Sequence, residues 1–267
     1  MSEINAKQTF KVATFNLRKD SLFDFGNRWR YRKSHAIGEM KRLGASVIGV
    51  QELLPSMRED ITEQLDGYSV FGLGRSKSTG GEHNDIFIDN ELAEVSYSKT
   101  FWLSKNPDKL GSRAYYALFP RICTVCEVLL HHTGRKFRVY NTHLDHICGP
   151  AKRLGVRMIL ENIRAVNEIE PMPVIIMGDL NAKPGDTAVR MLIENRIKKF
   201  RNTLAEVGER MGRTYHGFKG KKQGEQIDYI FVSEEFEIEN AQIRRDRSAS
   251  RFPSDHYPVV ATLSLSV

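Results

Sequence analysis

Acidic, amide and imidazole side chains recur at the ends of apolar runs in this chain. "VATFN" ends on Asn16, and "VIGVQE" ends on Gln51 and Glu52. "RVYNTHLD" carries Asn141, His143 and Asp145 at a spacing of two, and "VIIMGDLN" carries Asp179 and Asn181 at the same spacing. "QIDYIFV" holds Asp228 near its start, and "SDHYPV" sets Asp255 and His256 ahead of the last apolar run. Side chains two apart on a strand share a face. Taken singly, each has an ordinary role: Asn16 could cap a turn, Glu52 a helix, and Asp228 could bond a backbone amide. Taken together they need a common partner, because burying an unpaired carboxylate costs several kcal/mol. A metal ion would balance that charge and could hold a phosphate beside it.

The runs that carry these residues read as strands. They cover 10–16, 45–52, 68–74, 85–89, 95–104, 122–132, 135–145, 172–181, 226–233, 236–243 and 257–267. Helices alternate with them. Ile37, Met40 and Leu43 sit at helical spacing after the first strand, and a second helix lies near 56–65. From Ala151 to Ile169, the residues Val156, Ile159, Leu160, Ile163 and Val166 mark one face of a long helix, and another helix covers 186–194. Strands outnumber helices and the two are mixed throughout, which predicts an α/β chain rich in sheet. There is no repeat, linker or composition break, so residues 1–267 read as a single domain.

Of the 267 residues 40% are hydrophobic, enough for a large core, and the net charge of +7 favours an anionic partner. No apolar run approaches the ~18 residues of a membrane span, and "MSEINAKQTF" lacks the apolar core of a signal peptide. Three cysteines suggest no disulfide framework, so the reading is a cytoplasmic monomer. "CTVCEVLLHH" (123–132) holds a C-x-x-C, but side chains three apart on a strand diverge, so Cys123 and Cys126 read as packing residues rather than zinc ligands.

The ordered set TFN, VQE, NTHLD, GDLNAKP, IDYIFV and SDHYPV, spread from residue 14 to 259, resembles the endonuclease/exonuclease/phosphatase superfamily. "FWLSKNP", "GSRAYYALFPRICT" and "NTHLDH" look most like bacterial members akin to the nocturnin and carbon-catabolite-repressor deadenylase branch. The resemblance implies a four-layer α/β sandwich: two packed, mostly antiparallel sheets flanked by helices, with the site at one sheet edge.

It also implies roles. Hydrolysing a phosphate ester calls for a divalent cation, an activated water and help for the developing charge. Glu52 matches the first ligand of Mg²⁺ (Mn²⁺ being an alternative), with Asn16 beside it and Asp255 as a second carboxylate. Asp179 matches the general base for water. Asn181 would donate to a phosphate oxygen. His256 would stabilise the transition state, oriented by Asp228. His143 matches a second histidine, for which Glu82 is the candidate orienting acid. Arg121 in "FPRICT" matches an arginine that contacts phosphate. Asp145 and His146 either reach the pocket or satisfy loop backbone groups.

On substrate, "RRDRSASRFPSDH" (244–256) brings four arginines, Arg251 among them, just ahead of Asp255. "FKGKKQG" and "RIKKFR" add further positive charge. "NRWRYRK" interleaves Trp29 and Tyr31 with cations, which suits stacking of a base. Asn141 shares a face with His143 and is a further substrate-binding candidate. These features favour a nucleic acid or nucleotide, and a nuclease of 3′–5′ exonuclease type. The alternative is a phosphatase or phosphodiesterase on small phosphorylated metabolites such as sugar or inositol phosphates. An inactive binding module is disfavoured, because every expected polar position is filled.

Overall fold

The computed structural model describes residues 8–208, 212–245 and 251–265. In chain order the first half runs β1 (Phe10–Asn16), α1 (Trp29–Leu43), β2 (Val47–Gln51), α2 (Pro55–Thr62), β3 (Tyr68–Phe71), β4 (Ile86–Asp89) and β5 (Ala93–Trp102). The second half runs β6 (Ile122–Leu130), β7 (Lys136–His143), α3 (Gly149–Ile169), β8 (Val174–Asp179), α4 (Thr187–Glu194), β9 (Phe200–Asn202), α5 (Thr203–Glu206), β10 (Asp228–Ser233), β11 (Phe236–Ile243) and β12 (Val259–Leu265). A 3₁₀ segment, Leu22–Asn27, precedes α1. Local chemistry explains several boundaries. Pro55 opens α2, where its missing N–H is harmless, and Gly44 closes α1 in the left-handed conformation at φ 53°.

The strands form two six-stranded sheets, ordered β11-β12-β1-β2-β4-β3 and β5-β6-β7-β8-β10-β9. Each holds one parallel pair at its centre, β1 with β2 and β7 with β8, and the other pairings are antiparallel. The central strands are buried along their whole length, as in "VIGVQ" and "VIIMGD", which is what a parallel pair covered on both faces requires. One apolar cluster fills the space between the sheets. A second joins the β5–β10 sheet to α3 and α4, and a third joins the β1–β4 sheet to α1 and α2. The result is the expected four-layer α/β sandwich. Cys126 lies in the inter-sheet cluster and Cys123 in the helix-facing one, so the two diverge as strand geometry demands. No helix among the described residues is long and apolar enough to cross a membrane.

The short β9 and α5 were not legible as elements. Phe200, inside the basic run "RIKKFR", is 2% exposed and packs in the core.

Asn141 corrects an expectation. It is fully buried on β7 and does not line the cleft. Its Nδ2 donates to the carbonyls of Val50 and Asp85, both at 2.9 Å, and its Oδ1 accepts from Gln51 Nε2 at 2.6 Å. Gln51 in turn donates to Thr14 Oγ1 at 3.0 Å. These bonds tie one sheet to the other at the end where the site lies. Gly49 makes room for the clamp: a Cβ there would fall 2.8 Å from Asn141 Cγ. Removing the amide breaks three buried hydrogen bonds between the sheets. Asn141→Ala should therefore cost roughly 2–4 kcal/mol of stability in urea unfolding, whereas a loss within experimental error would show that the clamp carries no load.

Candidate active site

The two parallel pairs run the same way and end at the same edge. Asn16 is level with Gln51 in one sheet, and His143 with Asp179 in the other. The antiparallel β10 starts at that edge, placing Asp228 opposite Asp179, and the chain enters β12 there from Asp255 and His256. A cleft of about 290 Å³ opens between these ends. Among the expected residues it is lined by Glu52, Glu82, Arg121, His143, Asp179, Asn181, Asp255 and His256. Arg18, Lys19, Arg75, Phe119, His146 and Tyr215 also line it.

The backbone is bent to make this possible. Arg18, Glu52 and Asn181 hold positive φ of 53°, 58° and 48°, costly for residues with a Cβ and concentrated beside the cleft. Gly178 is forced: at φ 138° its backbone passes so close to β7 that a Cβ would lie 1.9 Å from the Thr142 carbonyl oxygen. This answers why an apolar strand turns out a carboxylate and then an amide. Asp179 Oδ1 accepts from the Asn181 N–H at 2.8 Å, and that local turn aims both side chains into the cleft.

Asp179 is the electrostatic centre. Its Oδ2 accepts from Asn16 Nδ2 at 3.0 Å and lies 3.7 Å from His143 Nε2 and 3.8 Å from His256 Nε2. Burial raises its pKa first and the Asp228 carboxylate raises it further, while His256 and the hydrogen bonds from Asn181 and Asn16 restrain the rise. His256 Nδ1 lies 2.9 Å from Asp228 Oδ2. Burial favours its neutral form, but Asp228, Asp179 and Asp255 outweigh burial and raise its pKa, so the imidazolium persists at neutral pH. The opposite holds for His143, where burial and then Arg121 push the pKa well down. Its Nε2 faces Asn181 Nδ2 at 2.9 Å, which fits an unprotonated Nε2 accepting that bond.

Asn181 differs from its expected role. Its Nδ2 donates to His143 Nε2 and, at 3.1 Å, to the Leu144 carbonyl, so both amide hydrogens are engaged inside the protein. It orients His143. Glu82 does not perform that task. It pairs with Arg75 through both oxygens at 2.8 Å and with Lys19 at 2.9 Å, fixing two cations at the cleft wall. Arg121 meets His146 Nδ1 at 3.0 Å and lies 3.9 Å from Asp145. Asp145 Oδ1 accepts from the N–H groups of Ile147 and Cys148, so it satisfies loop backbone, whereas His146 reaches the cleft.

Two substrate-binding candidates fall elsewhere. Trp29 is 4% exposed in the first turn of α1, packed in the core with its Nε1 donating to Asp60 at 2.7 Å, so it offers no face to a ligand. Arg251 donates to the Gly26 carbonyl and rests 5.7 Å from the Tyr31 ring centroid, outside the cleft lining. Residues 246–250, including Arg247 of the arginine run, lie outside the described residues.

Two groupings could accept a cation. Asp179, Asp228 and His256 bring one ligand atom each within 4.8 Å of one another. There, however, His256 Nδ1 is turned to Asp228, and a protonated imidazole repels a metal. The second is the pair Glu52 and Asp255, which line the cleft with Asp179 and offer oxygen donors of the kind a hard cation prefers. Glu52 Oε1 accepts from Asn16 Nδ2 at 3.2 Å and Oε2 from the Lys19 N–H at 3.1 Å. Burial tends to raise the Glu52 pKa, but Lys19, His256, Arg18 and Asn16 together bring it below the ordinary value. Asp255 is raised, by burial and then by Glu52 among others. Arg18, the nearest guanidinium, is spent on Asp24 at 2.9 Å and stands 3.9 Å from both Glu52 and Asp255. The carboxylates therefore hold excess negative charge, which a divalent cation fits. Asn16 is not a ligand in this arrangement: its Oδ1 accepts from the Arg18 N–H at 2.9 Å, and its Nδ2 holds Glu52 and Asp179.

Behind the cleft, the buried His216 packs on Phe252 and Tyr257, with ring centroids 4.7 and 4.0 Å away. Burial and the charge of His256 bring its imidazole down to about 4. The unfolded chain binds a proton there near pH 6.5. The native state thus loses stability as pH falls from about 6.5 to 4, and no more from this group below that range. Urea midpoints of chelator-treated His216→Phe should fall less than wild type between those pH values; parallel curves would contradict the assignment.

A sequence model described as the Endonuclease/Exonuclease/phosphatase family matches residues 13–256. An endonuclease/exonuclease/phosphatase of solved structure from Bacteroides vulgatus is 30% identical, with a TM-score of 0.88, covering 97% of this chain and 100% of that one. A mannosyl-6-phosphatase from Bacteroides thetaiotaomicron VPI-5482 is 26% identical, with a TM-score of 0.89, covering 96% and 100%. The human Nocturnin catalytic domain, solved with a bound sulfate anion, shares 16% identity and a TM-score of 0.75 over 97% and 94% of the two chains, a likeness of fold. No curated protein matches by sequence.

Proposed function

The chain belongs to the endonuclease/exonuclease/phosphatase family and is a metal-dependent hydrolase of phosphoester bonds, and from that premise we propose that it is a Mg²⁺-dependent phosphomonoesterase of small phosphorylated metabolites such as sugar phosphates. The observation that carries this reading is the cleft itself. At about 290 Å³ it suits a small phosphate ester rather than a polymer groove, and its cations Lys19, Arg75 and Arg121 are held in place by neighbours. A terminal phosphate, with a charge near −2, matches such a set better than a diester carrying −1. The similarity to a mannosyl-6-phosphatase supports the same direction. Burial of Trp29 removes one of the two aromatics that had favoured base stacking, leaving Tyr31 exposed.

In this reading Glu52 and Asp255 would hold the cation, and Asn16 sets the spacing of Glu52 and the neighbouring Asp179. When bound, Mg²⁺ supplies Lewis-acid stabilisation of phosphoryl oxygen. Asp179 takes the proton of the attacking water, a task suited to a carboxylate whose pKa is raised toward neutrality. His256, charged and fixed by Asp228, donates through Nε2 to the phosphoryl group as negative charge builds. Arg121 and Lys19 bind the remaining oxygens.

A second reading, the exonuclease-type nuclease, draws on the charge of +7 and on Arg30 and Arg251, which lie against Tyr31 at 4.5 and 5.7 Å. The two separate in one assay. Wild type with Mg²⁺ should release phosphate from sugar phosphates and leave single-stranded RNA and DNA intact; shortened oligonucleotides without phosphate release would select the nuclease. Asp179→Asn should lower kcat by about 10³-fold or more, with a smaller change in KM.

A further inference from the structure

A second chamber adjoins the cleft. Its volume is about 540 Å³, and it shares Lys19, Arg75, Glu82 and Phe119 with the phosphoryl cleft as a common wall. Beyond them it is bounded by Leu54, Gly111, Pro120 and Lys77. We propose that this chamber is the leaving-group site, and that it takes a hydroxyl-rich ring, a sugar, whose phosphate enters the cleft beyond Arg75. The inference rests on the phosphomonoesterase reading and deepens it.

The wall between the two spaces is a built feature. Arg75 spends its guanidinium fork on both oxygens of Glu82 at 2.8 Å. Its backbone is held as well: its N–H donates to the Glu82 carbonyl at 3.1 Å, and its carbonyl accepts from Trp102 Nε1 at 2.8 Å. Gly111 closes the far side: a Cβ there would fall 2.6 Å from Lys77 Cγ, so the two loops meet only because the residue is glycine. A ligand that touches Arg75 therefore meets a fixed surface on either side of it.

The chemistry of the chamber selects the occupant. The Arg75 guanidinium carbon lies 5.0 Å from the centroid of the Phe119 ring, so a cation covers one face of that ring. The ring remains 46% exposed, leaving apolar surface for the C–H face of a sugar. Leu54 and Pro120 add aliphatic wall. The carboxylates at the border are committed: Asp20 to Arg28 and the Trp29 N–H, Glu82 to Arg75 and Lys19. The charged groups left to a ligand are ammonium groups, Lys77 and, beside its bond to Glu82, Lys19, and these only donate; the Ser76 hydroxyl is engaged with Ser78. Hydroxyl oxygens can accept from them. A nucleobase, with its own amino groups, would find no free carboxylate to receive them.

The test compares kcat/KM for a hexose 6-phosphate, glycerol 3-phosphate and a nucleoside 5′-monophosphate, all with Mg²⁺. It uses wild type, Phe119→Ala, which removes the ring, and Leu54→Trp, which fills the chamber. Thermal melts confirm that each variant folds. Wild type should prefer the hexose ester, and either variant should reduce its preference over the glycerol ester by about tenfold. If wild type hydrolyses these monoesters and neither variant moves the ratio, the leaving group binds elsewhere and only the chamber assignment fails. A preference for the nucleotide that depends on Phe119 would overturn the sugar class. Cleavage of oligonucleotides with no monoester turned over would defeat the phosphomonoesterase reading and the chamber assignment with it.

Discussion

Two sheets must end at the same place for this site to exist, and the buried amide of Asn141 is the tie that holds them there. It reaches from β7 to the Val50 carbonyl on β2 and the Asp85 carbonyl just ahead of β4, and it takes a hydrogen bond from Gln51 at the tip of β2. Next to that tie, Asn16 on one sheet donates to Asp179 on the other at 3.0 Å. Each sheet brings its own parallel pair, and parallel neighbours end at one edge by construction. Slippage of one sheet against the other by a residue would move these side chains a strand rise of about 3.3 Å apart, beyond hydrogen-bond reach. Inter-sheet alignment is therefore the condition on which the whole cleft rests.

Alignment creates an electrostatic problem that the site turns to use. Glu52, Asp179, Asp228 and Asp255 are brought together with little water to screen them. The protein answers with His256, held charged by three of these acids, and with backbone N–H groups and the Asn16 amide. It does not neutralise the cluster with arginine: Arg18 stands at 3.9 Å and is turned to Asp24. The arrangement leaves Asp179 with a raised pKa and leaves Glu52 and Asp255 ready for a cation. Three positive-φ residues at the rim are consistent with a backbone shaped by the site rather than by the core.

Much of this was legible in the chain, and the failures have physical causes. The strand-end residues were visible because a period of two fixes which side chains leave a strand together, as with Asp179 and Asn181. The strands themselves were visible because central parallel strands are continuous apolar runs. Trp29 was misread because an aromatic among cations looks alike on a surface and in a first helical turn; only the partner, Asp60 on α2, distinguishes them. Asn141 shares its strand face with His143, yet its depth between the sheets is a tertiary fact. Glu82 was placed beside His143 by resemblance, but it is taken by Arg75 of its own loop and by Lys19 from the loop after β1. The three residues of β9 are too few to show a period.

The central claim is that Glu52 and Asp255, beside Asp179, would hold the cation while Asp228 holds His256 as an imidazolium. The most direct test is a crystal structure with Mn²⁺ in place of Mg²⁺, read by anomalous scattering. The account predicts a peak coordinated by Glu52 and Asp255 with Asp179 at its edge, and the His256–Asp228 hydrogen bond intact. A peak ligated by His256 and Asp228, with that hydrogen bond broken, would contradict it.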